Sequence, residues 1–178
     1  MILGYRSAPL TGARVVALPV LASFVMLAWD LSMEADWSTV DRAWIWQNGG
    51  LFYGVPVSNF LGWYLTAYLF YQAFALFCSK YPIVRPISSR QYWDTAILFY
   101  LVCAGGNLLI LKLPMAPPVV TDASGKQWIT IHILIADALI SLFLMGSLAL
   151  TAWLRMKAHD RAAAASQQET LAICPDST

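Results

Sequence analysis

Apolar residues run unbroken by charge from Val15 to Trp29, and then three acids, Asp30, Glu34 and Asp36, arrive within seven residues. Three further long apolar stretches follow. A spanning helix needs about 20 mostly apolar residues, and the pattern predicts four spans: Val15–Met33, Val57–Cys78, Thr95–Leu111 and Trp128–Leu154. Pro19 falls near the start of the first, where a helix tolerates it. The third span gains length if Asp94 and Lys112 sit at the two interfaces.

The connection between the first two spans breaks the pattern. Residues 43–79 carry no charge, yet Asn48-Gly49-Gly50 and Gly54-Val55-Pro56 interrupt them, so one helix cannot cover the segment. An interfacial or re-entrant stretch rich in aromatics (Trp44, Trp46, Phe52, Tyr53) is expected, followed by a second helix opening at Pro56. Such backbone is tolerated at membrane depth only where protein or a wet cavity covers it. The expected fold class is therefore all-α, a polytopic membrane helix bundle of about four transmembrane helices with this segment between the first two.

Composition agrees with a membrane protein: 59% of the 178 residues are hydrophobic, 12% are charged, and the mean hydropathy is +0.60. The net charge of +1, on basic residues that form no stripe, excludes a nucleic-acid partner. Cys78, Cys103 and Cys174 lie far apart without metal-ligand spacing. Residues 1–157 form one transmembrane domain, and the Ala-, Ser- and Gln-rich residues 158–178 are expected to be a mobile polar cytoplasmic tail.

Orientation follows from the basic residues. Arg6, Arg14, Lys80, Arg85, Arg90, Arg155, Lys157 and Arg161 fall on one side of the predicted spans, against Arg42, Lys112 and Lys126 on the other. The bias predicts a plasma-membrane protein with both termini cytoplasmic. Fifteen uncharged residues from Val15 reach only about 22 Å, short of a hydrocarbon core of about 30 Å. Asp30 is thus expected within the outer part of the membrane, with Glu34 at i+4 on its face.

Other polar residues repeat the pattern. Thr130, Asp137 and Ser141 are spaced by seven and four, Asn59 opens the second span, and Tyr100, Cys103 and Asn107 share one side of the third. Asp30, Glu34, Asn59, Asn107 and His132 all fall in the outer half, so a possible polar pocket including Asn107, His132 and Asp137 is expected there. An acid near mid-membrane costs about 2.5–3.5 kcal/mol, so it ordinarily faces the bundle interior and has a partner. The plainer alternatives are a helix end whose acids reach water, for Asp30 and Glu34, and packing hydrogen bonds, for Asp137, Asn59 and Asn107. A lone His132 is ordinarily an interface histidine, and aromatics at such depths form the interfacial belt.

Several chemistries are excluded. His132 and His159 are too few for histidine-box iron, and there is no glycine-rich dinucleotide motif or phosphate loop. Asp30-x-x-x-Glu34 is a weak candidate for Mg²⁺ and a prenyl diphosphate, because Arg42 is the only nearby cation. The other carboxylate chemistry is cofactor-free: a carboxylic acid in low dielectric stays protonated near neutrality and can protonate an alkene. Aromatic faces would stabilise the resulting cation.

Two stretches, Ala28–Glu34 (AWDLSME) and Trp44–Trp63 (WIWQNGGLFYGVPVSNFLGW), resemble the integral-membrane carotenoid biosynthesis protein family, whose characterised members are carotenoid hydratases of the bacterioruberin and γ-carotene type. The second stretch matches the family pattern at Gly50, Phe52 or Tyr53, Gly54, Val55, Pro56, Asn59, Phe60, Gly62 and Trp63. In the first, Glu34 stands where the family usually has Asp, and Ala35 where it has Pro. Family members are usually longer, so the chain is expected to correspond to their C-terminal part.

The resemblance implies a carotenoid 1,2-hydratase, adding water across the terminal double bond of an acyclic carotenoid end group without a cofactor. Asp30 and Glu34 would be the catalytic pair, and Trp29, Trp46, Phe52, Tyr53, Asn59 and Trp63 the substrate-binding set. The substrate would be a carotenoid or other long isoprenoid entering from lipid, with a partner subunit or homo-oligomer as a further expectation. A carotenoid end-group cyclase, a prenyltransferase and a non-catalytic carotenoid-binding membrane subunit stand as alternatives.

Overall fold

A computed structural model describes residues 10–81, 89–110 and 116–173. Arg6, Arg85 and Lys112 of the charge count, Leu111 of the third predicted span, and Cys174 lie outside the described residues. The fold is an all-α bundle: α1 (Arg14–Leu31), α2 (Val57–Lys80), α3 (Arg90–Ile110), α4 (Thr130–Leu139) and α5 (Gly146–Ile173), with one short hairpin of β1 (Val119–Thr121) and β2 (Gln127–Ile129). Among the described residues, three helical stretches are long and apolar enough to cross a membrane: Arg14–Val40, Val57–Lys80 and Thr130–Glu169. The 21-residue α3 packs beside the last of these.

The first helix does not stop at Met33, where its predicted span ends. Ser32 and Met33 donate backbone bonds to Trp29 and Asp30, three residues back, which tightens one turn; a π-helical turn, Asp36–Val40, then widens the chain. Ser38 Oγ bonds the Glu34 carbonyl at 2.7 Å and supports the wider turn. All three acids of the opening pattern therefore sit inside a helical stretch and are buried. At the other end, the fourth span begins two residues after Trp128, at Thr130, because Gln127–Ile129 pairs with Val119–Thr121. From there α4, a π-helical turn (Ile140–Met145) and α5 follow without a break, and the helix continues through residues 158–173.

Backbone groups freed inside the bundle find partners. Pro19 has no N–H, so it cannot bond the Val15 carbonyl four residues back; Gln72 of α2 donates to that carbonyl at 3.1 Å. This is one tie between α1 and α2, which pack along their length. Asn107 of α3 donates to the Ser32 carbonyl and to Ser141 Oγ, each at 2.8 Å, and Ser32 Oγ bonds Met145 Sδ at 3.3 Å. Together they knot α1, α3 and the second π-helical turn. Beside the knot Ala28, Ala104 and Met145 close in a small apolar cluster.

The connection folds back over the end of the first helical stretch. Phe52 and Val55 pair across a two-residue turn whose central residues, Tyr53 (φ 49°) and Gly54 (φ 88°), both take positive φ, a type I′ geometry. Gly50 lies directly under this turn: a Cβ there would fall 2.0 Å from the Val55 carbonyl. Beneath it Ala35, Val55, Phe60, Val120 and Ile133 form a buried cluster joined by Phe52, Tyr53 and Trp128. The hairpin completes the cap, since Arg42 donates to the Thr121 carbonyl at 2.9 Å.

Asp122 holds the hairpin loop. Its carboxylate accepts from the Ser124 N–H and Oγ, the Lys126 N–H and the Trp128 indole. Burial pushes this carboxyl up, but the hydrogen bonds outweigh it and hold it below its ordinary value of 3.8. A depressed folded value means that Asp122 stabilises the hairpin above pH ~4 and that this support is lost as pH falls through the folded value. Protection factors of the Val119–Ile129 amides against hydrogen exchange are expected to fall in that acid range, and to be low and independent of pH in Asp122→Asn. Gly50→Ala is expected to destabilise the protein by more than about 4 kcal/mol, because the added carbon meets backbone; thermal unfolding in detergent measures it.

Candidate active site

Where the tightened turn of the first helix meets the connection, a cavity of about 400 Å³ opens. Trp29, Asp30 and Glu34 line it from one side, with Met26 and Met33 between them; Asn59 and Trp63 line it from α2, and Trp44 and Trp46 roof it from the connection. The spacing 26, 29, 30, 33, 34 is that of one helix face, and 59, 63 is one turn of another. Of the lining residues, Trp29, Trp44 and Trp63 are partly exposed to the outside and form the rim of the cavity.

The two acids are held differently. Glu34 is 2% exposed, and its Oε1 accepts hydrogen bonds from both the Trp44 and the Trp46 indole N–H, each at 2.8 Å. An indole N–H is a donor only, so this oxygen is a fixed acceptor. Asp30 is 6% exposed, and its Oδ2 has no hydrogen-bond partner among the described residues; the same is true of Asn59 Nδ2 across the cavity. Gln72 Oε1 and both Asp137 carboxyl oxygens are likewise buried without a partner among the described residues, but those two residues do not line this cavity. Buried polar groups without partners are uncommon in a folded protein.

Six sequence-derived site residues thus meet at one cavity: Trp29, Asp30, Glu34, Trp46, Asn59 and Trp63. Phe52 and Tyr53 do not line it. They stand in the next layer, with Phe52 edge-on to Phe60 at 5.4 Å and Tyr53 edge-on to Trp128 at 5.4 Å. Thr39 Oγ1 donates to the Tyr53 carbonyl at 2.6 Å, so these rings pin the connection down. Nor do Asn107, His132 and Asp137 join the cavity. Asn107 ties helices as described, His132 is exposed on α4, and Asp137 is buried beside Asp36 where α4 crosses the first π-helical turn. No group of three or more His, Cys, Asp or Glu able to hold a metal occurs among the described residues.

Trp44 lines the cavity as well, although the sequence marks it only as part of an aromatic cluster. Its signal is proximity: Trp44 stands two residues from Trp46, and a buried carboxylate nearby needs donors. Met26 and Met33 follow from the helix face that carries Trp29 and Asp30.

A sequence model of the carotenoid biosynthesis protein family matches residues 2–123, more than half of the chain, and every cavity residue lies inside that range. No curated protein and no solved structure matches.

Replacing either indole donor while keeping a ring tests the Glu34 clamp. Trp44→Phe and Trp46→Phe are each expected to cost roughly 1–2 kcal/mol in unfolding free energy. Each substitution is expected to cost much less in a Glu34→Leu background, because the clamp is one interaction network. Equal costs in both backgrounds would show that the indoles matter only as packing.

Proposed function

This chain belongs to the carotenoid biosynthesis protein family, and from that premise we propose that it hydrates the terminal double bond of an acyclic carotenoid end group. The observation that carries the reading is the pairing of an unpartnered buried Asp30 carboxyl oxygen with an indole-clamped Glu34 in one apolar, tryptophan-rimmed cavity. Hydration of an isolated alkene needs a proton donor, a positioned water and shelter for a tertiary cation. It needs no redox partner.

Asp30 delivers a proton to the less substituted alkene carbon; the alkene π electrons form the new C–H bond and leave a tertiary cation on the neighbouring carbon. The faces of Trp29, Trp46 and Trp63 shield that cation. Asn59 orients a water through its unpartnered side-chain nitrogen. Water oxygen attacks the cation, and Glu34 takes the water's surplus proton while the indoles hold it in place. Proton exchange through solvent returns both acids to their starting states, and the net change is addition of one water.

The protein works in the plasma membrane with both termini in the cytoplasm. Arg14, Lys80 and Arg90 lie at the helix ends opposite the connection and Arg155 lies within α5, whereas Arg42 and Lys126 lie beside the cavity cap. On this orientation the acid pair lies in the outer half of the membrane, and the substrate enters sideways past the tryptophan rim.

Expression in a lycopene-producing host followed by pigment mass analysis tests the assignment. The wild-type chain is expected to yield a pigment one water heavier. Asp30→Asn and Glu34→Gln are expected to lower its yield at least about 100-fold at equal protein level, the lower range for loss of an acid–base group. Unchanged yield in both variants would contradict the roles of donor and acceptor assigned to the two acids, and a product of unchanged mass would assign cyclisation instead.

A further inference from the structure

The cavity beside Asp30 is accompanied by a second apolar hollow against the same helix. It has a volume of about 320 Å³ and is lined by Leu18, Ala22 and Val25 of α1, Tyr100 of α3, and Ala149 and Ala152 of α5, among others. The Tyr100 hydroxyl is spent on the Val25 carbonyl at 3.0 Å, which leaves the ring as wall. Space remains because alanines from α1 and α5 meet there, and no larger side chain fills the gap to the density of an ordinary interior.

Both cavities are lined by α1. Leu18, Ala22 and Val25 line one, and Met26 and Trp29 line the other. Leu18, Ala22, Val25 and Trp29 follow one another at helical spacings of four, three and four, so the face that lines the former runs on to a residue of the latter. From Leu18 to Asp30 this ridge runs about 18 Å. The first cavity accommodates an end group. A carotenoid is many times longer than its end group, and its body requires an apolar course leading away from the polar cap formed by the connection and hairpin.

We propose that the second cavity is the subsite for the polyene body of the same carotenoid, so that substrate lies along α1 with its reacting end at Asp30 and its chain against Ala22, Ala149 and Ala152. This rests on reading the first cavity as the end-group site. The subsite grips a part of the substrate that does not react, so it contributes binding that is equal in ground state and transition state. Filling it weakens binding of long substrates and leaves the chemical step in place.

Lycopene is the probe, used with the full chain purified in detergent. Ala149→Phe is expected to raise KM for lycopene about tenfold with kcat nearly unchanged, and to reduce co-purifying lycopene in proportion. Ala22→Leu, a smaller intrusion from another helix, is expected to act in the same direction and serves if Ala149→Phe fails to fold. Leu150→Phe, on the exposed side of α5, is expected to change neither quantity. Wild-type KM and lycopene retention in both filling variants would overturn the proposal, as would a wild-type protein that carries phospholipid and no lycopene. If wild type retains lycopene without hydrating it, and retention still falls in the filling variants, the subsite stands and the hydration chemistry fails.

Discussion

The structure depends on one carboxylate oxygen. Glu34 Oε1, buried at the end of the first helical stretch, receives the N–H of two tryptophans from the connection that follows. A buried acceptor of this kind is costly to leave without donors, so the two bonds fix where the connection lies. With Trp44 and Trp46 drawn over the helix end, the Gly50–Val55 turn drops onto the Ala35–Phe60–Ile133 cluster, α2 starts at Val57, and a cavity is roofed.

Satisfaction of polar groups then separates structure from chemistry. The Val15 carbonyl freed by Pro19 has Gln72, the Ser32 carbonyl has Asn107, and the Asp122 carboxylate has four donors. Those residues hold elements together. Asp30 and Asn59 each keep a buried polar atom without a partner among the described residues. Gln72 Oε1 and both Asp137 carboxyl oxygens are also buried without a partner among the described residues, but of these groups Asp30 and Asn59 alone line the same hollow. That contrast gives the catalytic assignment its physical basis, beyond family membership in carotenoid biosynthesis.

Much of this is legible in the sequence. Apolar runs of helical length mark the three helical stretches able to cross a membrane, and the Gly/Pro interruptions between Asn48 and Pro56 show that the connection is not helical. The i,i+4 spacing of Asp30 and Glu34 puts them on one face. Other features are not legible, each for a reason. The first helical stretch continues through the acids to Val40 because three-residue and π-type bonds let it absorb them, and periodicity at 3.6 residues does not register such changes of pitch. Sequence position likewise suggests one polar pocket for Asn107, His132 and Asp137, but it is blind to which neighbour each meets: one ties helices, one is exposed, one sits by Asp36. Phe52 and Tyr53 read as pocket rings, yet a type I′ turn directs them into the supporting layer. The hairpin at Val119–Ile129 is three residues a strand, too short for an alternating pattern to show.

The central claim is that water, activated between Glu34 and Asn59, captures a cation made by Asp30. Its most direct test is to run the purified protein on lycopene in water labelled with heavy oxygen and to read the mass of the alcohol formed. The account predicts that the new hydroxyl carries the heavy oxygen in full, under air and under argon alike. A hydroxyl that carries ordinary oxygen, or that forms only when air is present, would contradict it.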